Sequence, residues 1–545
     1  MDSDLTSVRS MFKGFYNAVA ARHELVFLPP NYAWVSPGEQ ARMADEFVRR
    51  CDVIAGWPRP ATAAARTRTG AKVPLIRFFL GEISYGAWHL KSFMGDLNTN
   101  DMFLVNCQSD VVLARKLFHN LPVSVVPFPF DPAAFTPLGD DERRAARREL
   151  GIGENDRVLL YVGRIIPEKN VHLLLRLFHT VLRHVPDAHL VLVGAPGSGD
   201  SLHAFNIQPA GFGRTIARVI ETLGLPPERI HQVGQLGPGR LREMYGMADL
   251  KVNPSQNPDE NFGLAQVEAI ACGTPVVGTA WGGLKDSVID GVTGWRVSAL
   301  STPTGPRASW WEAVNRIVEH LNHLPPRERL AAELPPHSAR CSHAAYVEMI
   351  DEIVCRAAAN RDRPAQPLRP TAFAEEFWTV CDVWNDRSAQ FRRGPRSEQL
   401  HQELLTPYSG ATRHHVPPGE PMGPDQVLTL STPVTEESDG VLRLDHVFYA
   451  HPVTVPAEVR DGVRAVLGVM RREPAISVER LACDRLCGQD GVWEALAWME
   501  EMGLVLRTHP VDGWIDPATV DAGVSEPLFV MHPVELASTD FVVYQ

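Results

Sequence analysis

The stretch Val158–Val193 decides the fold, and it reads VLLYVGRIIPEKNVHLLLRLFHTVLRHVPDAHLVLV. Val158–Val162 is an apolar run typical of a buried strand, and a turn at Gly163 ends it. Leu190–Val193 has the same character. Between the two runs, apolar residues recur with helical spacing at positions 171, 174, 175, 178, 181, 182 and 185. A strand, a helix and a second strand in this order predict a parallel sheet.

The alternation continues on both sides of this stretch. Three later strands complete one Rossmann-like lobe, at Ile230–Val233, Leu250–Asn253 and Pro275–Thr279. A weaker form of the pattern predicts a second, smaller Rossmann-like lobe with strands at Glu24–Leu28, Asp52–Ala55, Leu75–Phe79, Met102–Cys107 and Val123–Pro127. The sequence therefore predicts an α/β protein with two such lobes.

The C-terminal part of the chain has a different pattern. Arg361–Pro370, RDRPAQPLRP, is predicted to be a linker, because its prolines and charges cannot build a core. Val427–Leu430 and Val441–Tyr449 flank a polar segment and predict a hairpin. Three helices and a strand are expected next, at about 456–472, 478–487, 490–502 and Leu504–Arg507. This order resembles a winged helix, so an α+β module is predicted at about 427–515.

Composition and charge make some classes of function less plausible than others. The chain has 545 residues and a formal charge of -12, so several compact units are expected and a general nucleic-acid binder is disfavoured. The predicted last helix carries four acidic residues and no basic one, which favours a protein or peptide partner over DNA. The eight cysteines have no framework spacing, and no secretory signal or bilayer-spanning run is found, so the protein is expected to be cytoplasmic.

Two carboxylates stand out in the segment Glu260–Val277, ENFGLAQVEAIACGTPVV. Glu260 precedes a helix start that contains Gly263, and Glu268 lies in an otherwise apolar helix. A helix start of this kind exposes backbone N–H groups that suit a phosphate, and a buried carboxylate requires a partner. The alternative is a solvent-facing Glu268, with Glu260 merely favouring the helix dipole.

Two cations lie in the loop Tyr161–Asn170, YVGRIIPEKN, at the carboxyl end of a predicted parallel strand. Ligands bind at this edge in open α/β sheets. Arg164 offers a planar fork for phosphate oxygens and Lys169 a compact charge, so the pair suits a diphosphate without a metal ion. Viewed alone, the loop is equally consistent with ordinary surface ion pairs.

The order and spacing of these pieces resemble the C-terminal domain of the retaining GT-B glycosyltransferases of the "group 1" family. The matching pieces are GR-x4-K, VLVGAPG, the E-x7-E helix with ACGTPVV, and GGLKDSVIDGVTGWRV. The resemblance is close over about 150–300 and looser over about 70–360. It implies two Rossmann-like lobes facing a cleft and transfer of a sugar from a nucleotide-diphosphate sugar.

The resemblance also implies roles for individual residues. Arg164 and Lys169 would hold the donor diphosphate, Glu268 the ribose hydroxyls and Glu260 the transferred sugar. The other implied donor contacts are Gly163, Gly194, Gly234, Gln235, Leu236, Phe262, Gly263 and Leu264. In such enzymes the leaving phosphate accepts the proton of the incoming hydroxyl, so no general base, cofactor or metal is expected.

Some features depart from the family pattern and keep alternatives open. His23–Pro30 has no glycine-rich loop, and Gly81 and Glu82 stand near the place where the family often has a histidine, so Glu82 is a candidate substitute contact. One alternative is a degenerate protein that binds a nucleotide sugar or a partner without transfer. Another is a glycosyltransferase whose acceptor is a peptide recognised by the C-terminal region.

The sequence therefore divides the chain into four predicted segments. Residues 1–135 form a short acceptor lobe, 136–360 the donor lobe, 361–370 a linker and 371–545 an added region with the winged-helix-like module. The expected partners are a nucleotide-sugar donor, a small-molecule or peptide acceptor and, through the C-terminal region, a second copy of the chain.

Overall fold

The computed structural model describes residues 6–56, 60–79, 94–166, 169–195, 212–257, 260–380, 395–438, 440–444, 453–484 and 491–520. The chain divides into two compact units. The first consists of Met1–Pro132, Pro258–Leu264 and Ser338–Tyr408, and the second of Ala133–Asn257, Ala265–His337 and Ser409–Gln545.

The first unit is built on a four-stranded parallel sheet in the order β1-β2-β3-β4. The strands are β1 Ile54–Gly56, β2 Leu75–Phe78, β3 Met102–Val105 and β4 Val123–Val125. Its helices are Thr6–Ala20, Pro37–Arg50, Pro60–Thr69, Gln108–Leu117, His343–Ala359, Ala372–Val380 and Pro395–Leu405. All residues of β2 and β3 are buried, as expected for central strands of a parallel sheet.

One predicted strand of this lobe is wrong. Glu24–Leu28 has no strand pairing, and Phe27 is 61% exposed. The ring of Phe27 packs edge-on against Tyr16 of the preceding helix, with the centroids 5.5 Å apart. An apolar run becomes a strand only where a neighbouring strand supplies hydrogen bonds, and no strand among the described residues pairs with this segment. The other four predicted strands of the lobe are confirmed to within a few residues.

Residues 361–370, predicted as a linker, are hydrogen-bonded along the first unit. The Thr99 N–H donates to the Gln366 carbonyl at 2.9 Å, and the His119 N–H donates to the Arg369 carbonyl at 3.0 Å. Proline lacks a backbone donor but can still lie beside a strand, because its carbonyl remains available. This segment therefore belongs to a folded edge of the unit.

The second unit contains a six-stranded sheet in which every pairing is parallel. The strands are β5 Arg157–Val162, β6 Ala188–Val193, β7 Ile230–Gly234, β8 Leu250–Asn253, β9 Val276–Thr279 and β10 Gly294–Val297. The helices are Asp140–Glu149, Val171–His184, Phe212–Thr222, Pro238–Met247, Leu264–Ala271, Leu284–Ser287, Trp310–Asn322 and Arg327–Glu333. The strands and the helix read from Val158–Val193 are confirmed.

Strand order distinguishes the two sheets. The first sheet runs in sequence order from edge to edge, whereas the second has the order β10-β9-β8-β5-β6-β7. In the second sheet the direction of winding reverses between β5 and β8. Such a reversal opens a crevice at the carboxyl ends of the two strands, where open α/β sheets bind their ligands.

The C-terminal residues of the second unit add antiparallel sheets. Strands β11 Ala299–Thr302 and β12 Gly305–Ala308 form a hairpin, and the later strands are β13 His415–Val416, β14 Val427–Leu430, β15 Val434–Ser438, β16 Val441–Leu444, β17 Val453–Thr454, β18 Ala475–Ser477 and β19 Val505–Thr508. They form the sheets β13-β19-β14-β18 and β15-β16-β17. The helices are Arg460–Met470, Val478–Ala482 and Val492–Glu501.

The predicted hairpin between Val427–Leu430 and Val441–Tyr449 is wrong. β14 pairs instead with β18 and β19, which are distant in sequence, and β16 pairs with β15. The winged-helix arrangement is not confirmed. Val427 and Ala475 share a hydrophobic cluster with the β5 residue Leu159, so this part of the chain is packed into the core of the second unit.

The predicted fold class is confirmed, since both units contain parallel sheets with helices and the C-terminal part adds α+β structure. Within the described residues, no helix combines the length and the apolar character that a membrane span requires.

Candidate functional site

Three predicted donor-site glycines lie together at the carboxyl edge of the second unit's sheet. Gly163 follows β5, Gly194 follows β6, and Gly234 ends β7. The Gly194 N–H donates to the Gly234 carbonyl at 2.8 Å, and the Gly163 N–H donates to the Val193 carbonyl at 3.0 Å. A Cβ on Gly194 would lie 1.9 Å from the Gly163 carbonyl oxygen, so only glycine fits there. The ends of these strands are therefore packed closely together through their backbones.

Two hydrogen bonds hold the start of the loop that follows Gly163. The Tyr161 hydroxyl donates to the Arg164 carbonyl at 2.7 Å, and the Ile165 N–H donates to the Ala195 carbonyl at 3.2 Å. Ile165 and Ile166 are buried, whereas Arg164 and Lys169 are half-buried. Buried isoleucines anchor the loop and leave the two cations at its surface, where partial burial strengthens their field.

A second loop lies beside the first, and our sequence reasoning did not identify it. It is Pro254–Asn257, which follows β8. The Asn170 Nδ2 donates to the Pro254 carbonyl and to Gln256 Oε1, at 3.1 Å each. The Trp281 Nε1 donates to the Asn257 carbonyl at 3.0 Å. The hydrogen bonds of Asn170 thus join the two loops at the point where the strand order reverses.

Asn170 itself adopts an unusual backbone conformation. Its φ is 53°, and it is the only non-glycine residue with positive φ among the described residues. Asparagine tolerates the left-handed region better than most residues do. The side chain makes no capping bond to the helix Val171–His184. The side chain fixes the neighbouring loop instead, so Asn170 does not cap the first backbone N–H groups of this helix.

Glu268 is half-buried in the helix Leu264–Ala271 and is paired with a residue that sequence reasoning missed. The Tyr245 hydroxyl donates to Glu268 Oε2 at 2.7 Å. Burial raises the pKa of Glu268 to about 7, although the Tyr245 hydrogen bond and the charge of Lys251 oppose this shift. Lys251 is fully buried in β8. The structure favours a partnered and partly buried Glu268 over the solvent-facing alternative.

Replacing Glu268 with glutamine is expected to raise stability at alkaline pH and not at acidic pH. The folded pKa of about 7 exceeds the ordinary value of 4.5. The wild-type carboxyl therefore contributes stability that is lost as the pH rises through this window, while glutamine does not titrate. Because the carboxyl is only half-buried, the difference should reach on the order of 2 kcal/mol above about pH 8.

The measurement is the urea unfolding midpoint at about pH 5 and about pH 8.5. Glu154→Gln is the matched control, because the Glu154 side chain is 64% exposed and its midpoint should change little at either pH. The pKa assignment is contradicted if the Glu268→Gln variant differs from the wild type equally at the two pH values.

The Glu260–Leu264 segment belongs to the first unit. Glu260 is half-buried, and the neighbouring Asn261 Nδ2 donates to Asn106 Oδ1 at 2.8 Å. The ring of Phe262 packs edge-on against Phe128 at 5.3 Å. Gly263 has a φ of 81°, which turns the backbone into the helix that starts at Leu264. These contacts hold the segment in place around Glu260.

Two further predicted donor contacts follow β7. Gln235 is exposed and Leu236 half-buried, directly after Gly234. Glu82 lies outside the described residues.

The described residues contain one group of metal-ligating side chains, His23, Asp351 and Cys355, in the first unit. Asp351 accepts from Arg22 at 2.6 Å and from His23 at 2.9 Å. These ion pairs account for the group, so we assign no metal to it.

Comparison with known proteins finds similarity over part of this chain. Residues 142–302 match the model of the family described as "Glycosyl transferases group 1". The D-inositol 3-phosphate glycosyltransferase of Geodermatophilus obscurus is 38% identical over 259 residues, which are 45% of this chain and 51% of that protein. The protein of the same name from Mycolicibacterium gilvum is 40% identical over 197 residues, or 36% and 40% of the two chains. This chain spans about half the length of the curated relatives it matches.

Similar solved structures include Anabaena HepE in complex with UDP. It has a TM-score of 0.48 and 20% identity, and the match covers 63% of this chain and 89% of that chain. WaaG, a glycosyltransferase involved in lipopolysaccharide biosynthesis, has a TM-score of 0.44 and 16% identity, with coverage of 64% and 96%.

Proposed function

Because residues 142–302 match the model of the glycosyl transferases group 1 family, we propose that the chain transfers a sugar from a nucleotide-diphosphate sugar to a hydroxyl-bearing acceptor. We further propose that the anomeric configuration is retained and that no metal ion takes part. The observation that carries the proposal is the sheet edge inside the matched region. There the strand order reverses, and Gly163, Arg164 and Lys169 follow β5.

The chemistry that this edge supports is stabilisation of a leaving diphosphate. Negative charge builds on the leaving phosphate as the sugar–oxygen bond breaks, and half-buried cations stabilise such charge strongly. Arg164 supplies a forked donor and Lys169 a point charge. The leaving phosphate accepts the acceptor hydroxyl's proton, so a separate general base is not required.

The carboxylates have binding roles in this proposal. Glu268, oriented by the Tyr245 hydroxyl, accepts hydrogen bonds from the ribose hydroxyls of the donor. Glu260 accepts from hydroxyls of the transferred sugar. The backbone at Gly194 and at Gly234 frames the base of the donor. A charge-assisted hydrogen bond of this type contributes about 1.5–3 kcal/mol.

Glu260→Gln is expected to lower the rate of transfer about tenfold to a hundredfold, because a hydrogen bond from a sugar hydroxyl to a charged acceptor is weakened. The assay follows nucleotide release and product formation with UDP-, GDP-, ADP- and TDP-sugars. D-inositol 3-phosphate, which the relatives' names give as their acceptor, belongs in the acceptor panel. Transfer should persist in EDTA, since Arg164 and Lys169 supply the positive charge.

The rival is a degenerate protein that binds a nucleotide sugar without transferring it. Equal and negligible turnover in the wild type and the Glu260→Gln variant, with donor binding intact, would support that rival. Glu154→Gln serves again as the control for an exposed glutamate of the second unit.

A further inference from the structure

Gln256 carries a buried donor group that the protein does not use. The side chain is 4% exposed, and its Oε1 accepts a hydrogen bond from Asn170 Nδ2 at 3.1 Å. The Nε2 atom has no hydrogen-bond partner in the described part of the chain. Buried polar atoms are nearly always satisfied, so an unsatisfied amide in a native protein calls for an explanation.

The hydrogen-bond network fixes which end of the Gln256 amide is nitrogen. Asn170 Nδ2 also donates to the Pro254 carbonyl at 3.1 Å, and a carbonyl can only accept. The Asn170 atom that faces both groups must therefore be nitrogen. The Gln256 atom that faces it must then be oxygen, because two amide nitrogens cannot hydrogen-bond each other. The unused group of Gln256 is thus an N–H₂ donor.

Gln256 lies at the place where the fold favours a ligand. Gln256 lies in the loop after β8, and its partner Asn170 lies at the end of the loop after β5. The two residues therefore flank the reversal of strand order. Lys169 is the neighbour of Asn170 in that loop. The 14-residue helix Val171–His184 starts there, and the side chain of its N-cap residue Asn170 makes no capping bond. A cation, a positive helix end and an unused donor in one place suit an anion rich in acceptor oxygens.

We infer that the Gln256 amide nitrogen donates a hydrogen bond to a phosphate oxygen of the nucleotide-sugar donor. The inference rests on the proposed function and adds a residue to that site. Asn170 is then a positioning residue, because its hydrogen bond to Gln256 Oε1 fixes the orientation of the amide. The unused donor costs the free protein stability, which binding restores when the phosphate accepts its hydrogen.

Two variants test this inference. Gln256→Leu removes the amide, and Gln256→Glu keeps an oxygen for Asn170 while replacing the donor with an acceptor. We expect the first to weaken nucleoside diphosphate binding about tenfold or more, and the second to weaken it further because a carboxylate repels phosphate. Titration calorimetry with UDP, GDP, ADP and TDP measures this, and the corresponding nucleosides should bind all three proteins equally.

A stability measurement separates binding from a structural role. Gln256→Leu removes an unsatisfied buried donor together with one of the two acceptors of Asn170 Nδ2, so its unfolding midpoint without nucleotide should change little while its affinity falls. A merely structural glutamine would lower both. Gln40→Leu is the control, since the Gln40 Nε2 donates to the Val35 carbonyl in the first unit and its loss should leave nucleotide affinity unchanged.

The remaining outcomes decide against the inference in distinct ways. Wild-type protein that binds none of the four diphosphates overturns the proposed function and the inference together. Wild-type binding that both Gln256 variants retain in full overturns the inference alone. A loss seen with nucleotide sugars and not with nucleoside diphosphates would assign the amide to the sugar and refute its assignment to phosphate.

Discussion

Lys169→Met is expected to lower kcat/KM for sugar transfer by about 10²–10³-fold, because one cation that stabilises the leaving diphosphate is removed. Lys169 is half-buried in the loop after β5, where water screens its charge less than at an exposed position. The measurement is steady-state transfer at several donor concentrations. The nucleoside diphosphate should also bind more weakly, since the Lys169 ammonium that is removed attracts its phosphates as well.

Lys72→Met is the matched control for this variant. Lys72 belongs to the first unit, its side chain is 71% exposed, and its nearest carboxylate is that of Asp362 at 3.9 Å. Exposed pairs of this kind contribute at most about 1 kcal/mol, so activity and stability should be close to wild type. Unchanged kcat/KM in Lys169→Met would refute the role of this loop in holding the diphosphate.

Asp249→Asn is expected to lower the free energy of unfolding by about 3–5 kcal/mol, because it leaves the buried Arg147 and the partly buried Arg143 without their counter-charge. Asp249 precedes β8 and is 6% exposed. Its carboxylate accepts from Arg143 at 2.6 Å, from Arg147 at 2.8 Å and from the Val158 N–H at 2.8 Å. Arg147 is 1% exposed and cannot reach water if the carboxylate loses its charge.

Urea unfolding of the full chain measures this effect. Asp141→Asn is the control, because the Asp141 side chain is 98% exposed although it pairs with Arg144 at 2.6 Å. The control should change stability by about 0.5 kcal/mol or less. A loss in Asp249→Asn no larger than in Asp141→Asn would show that the network contributes little.

Prediction from the sequence was most accurate where the apolar residues of a single segment follow a regular spacing. The period of the apolar residues in 171–185 predicted the helix Val171–His184, and the buried run before Gly163 predicted β5. It failed where pairing partners lie far apart in the chain. Val427–Leu430 was assigned to the nearest candidate strand, yet it pairs with β18 and β19. Antiparallel partners are chosen by packing, which local spacing does not encode.

The sequence by itself determined which chemical groups follow β5 and begin the helix at Leu264. The resemblance rested on those groups, because motif spacing is a local property. Only the tertiary structure decided the reversal of strand order, the contact of Tyr245 with Glu268 and the unused amide of Gln256. Asn170 and Gln256 are 86 positions apart in the chain. Contacts over such a separation arise from the folded arrangement of β5 and β8, which no local pattern reports.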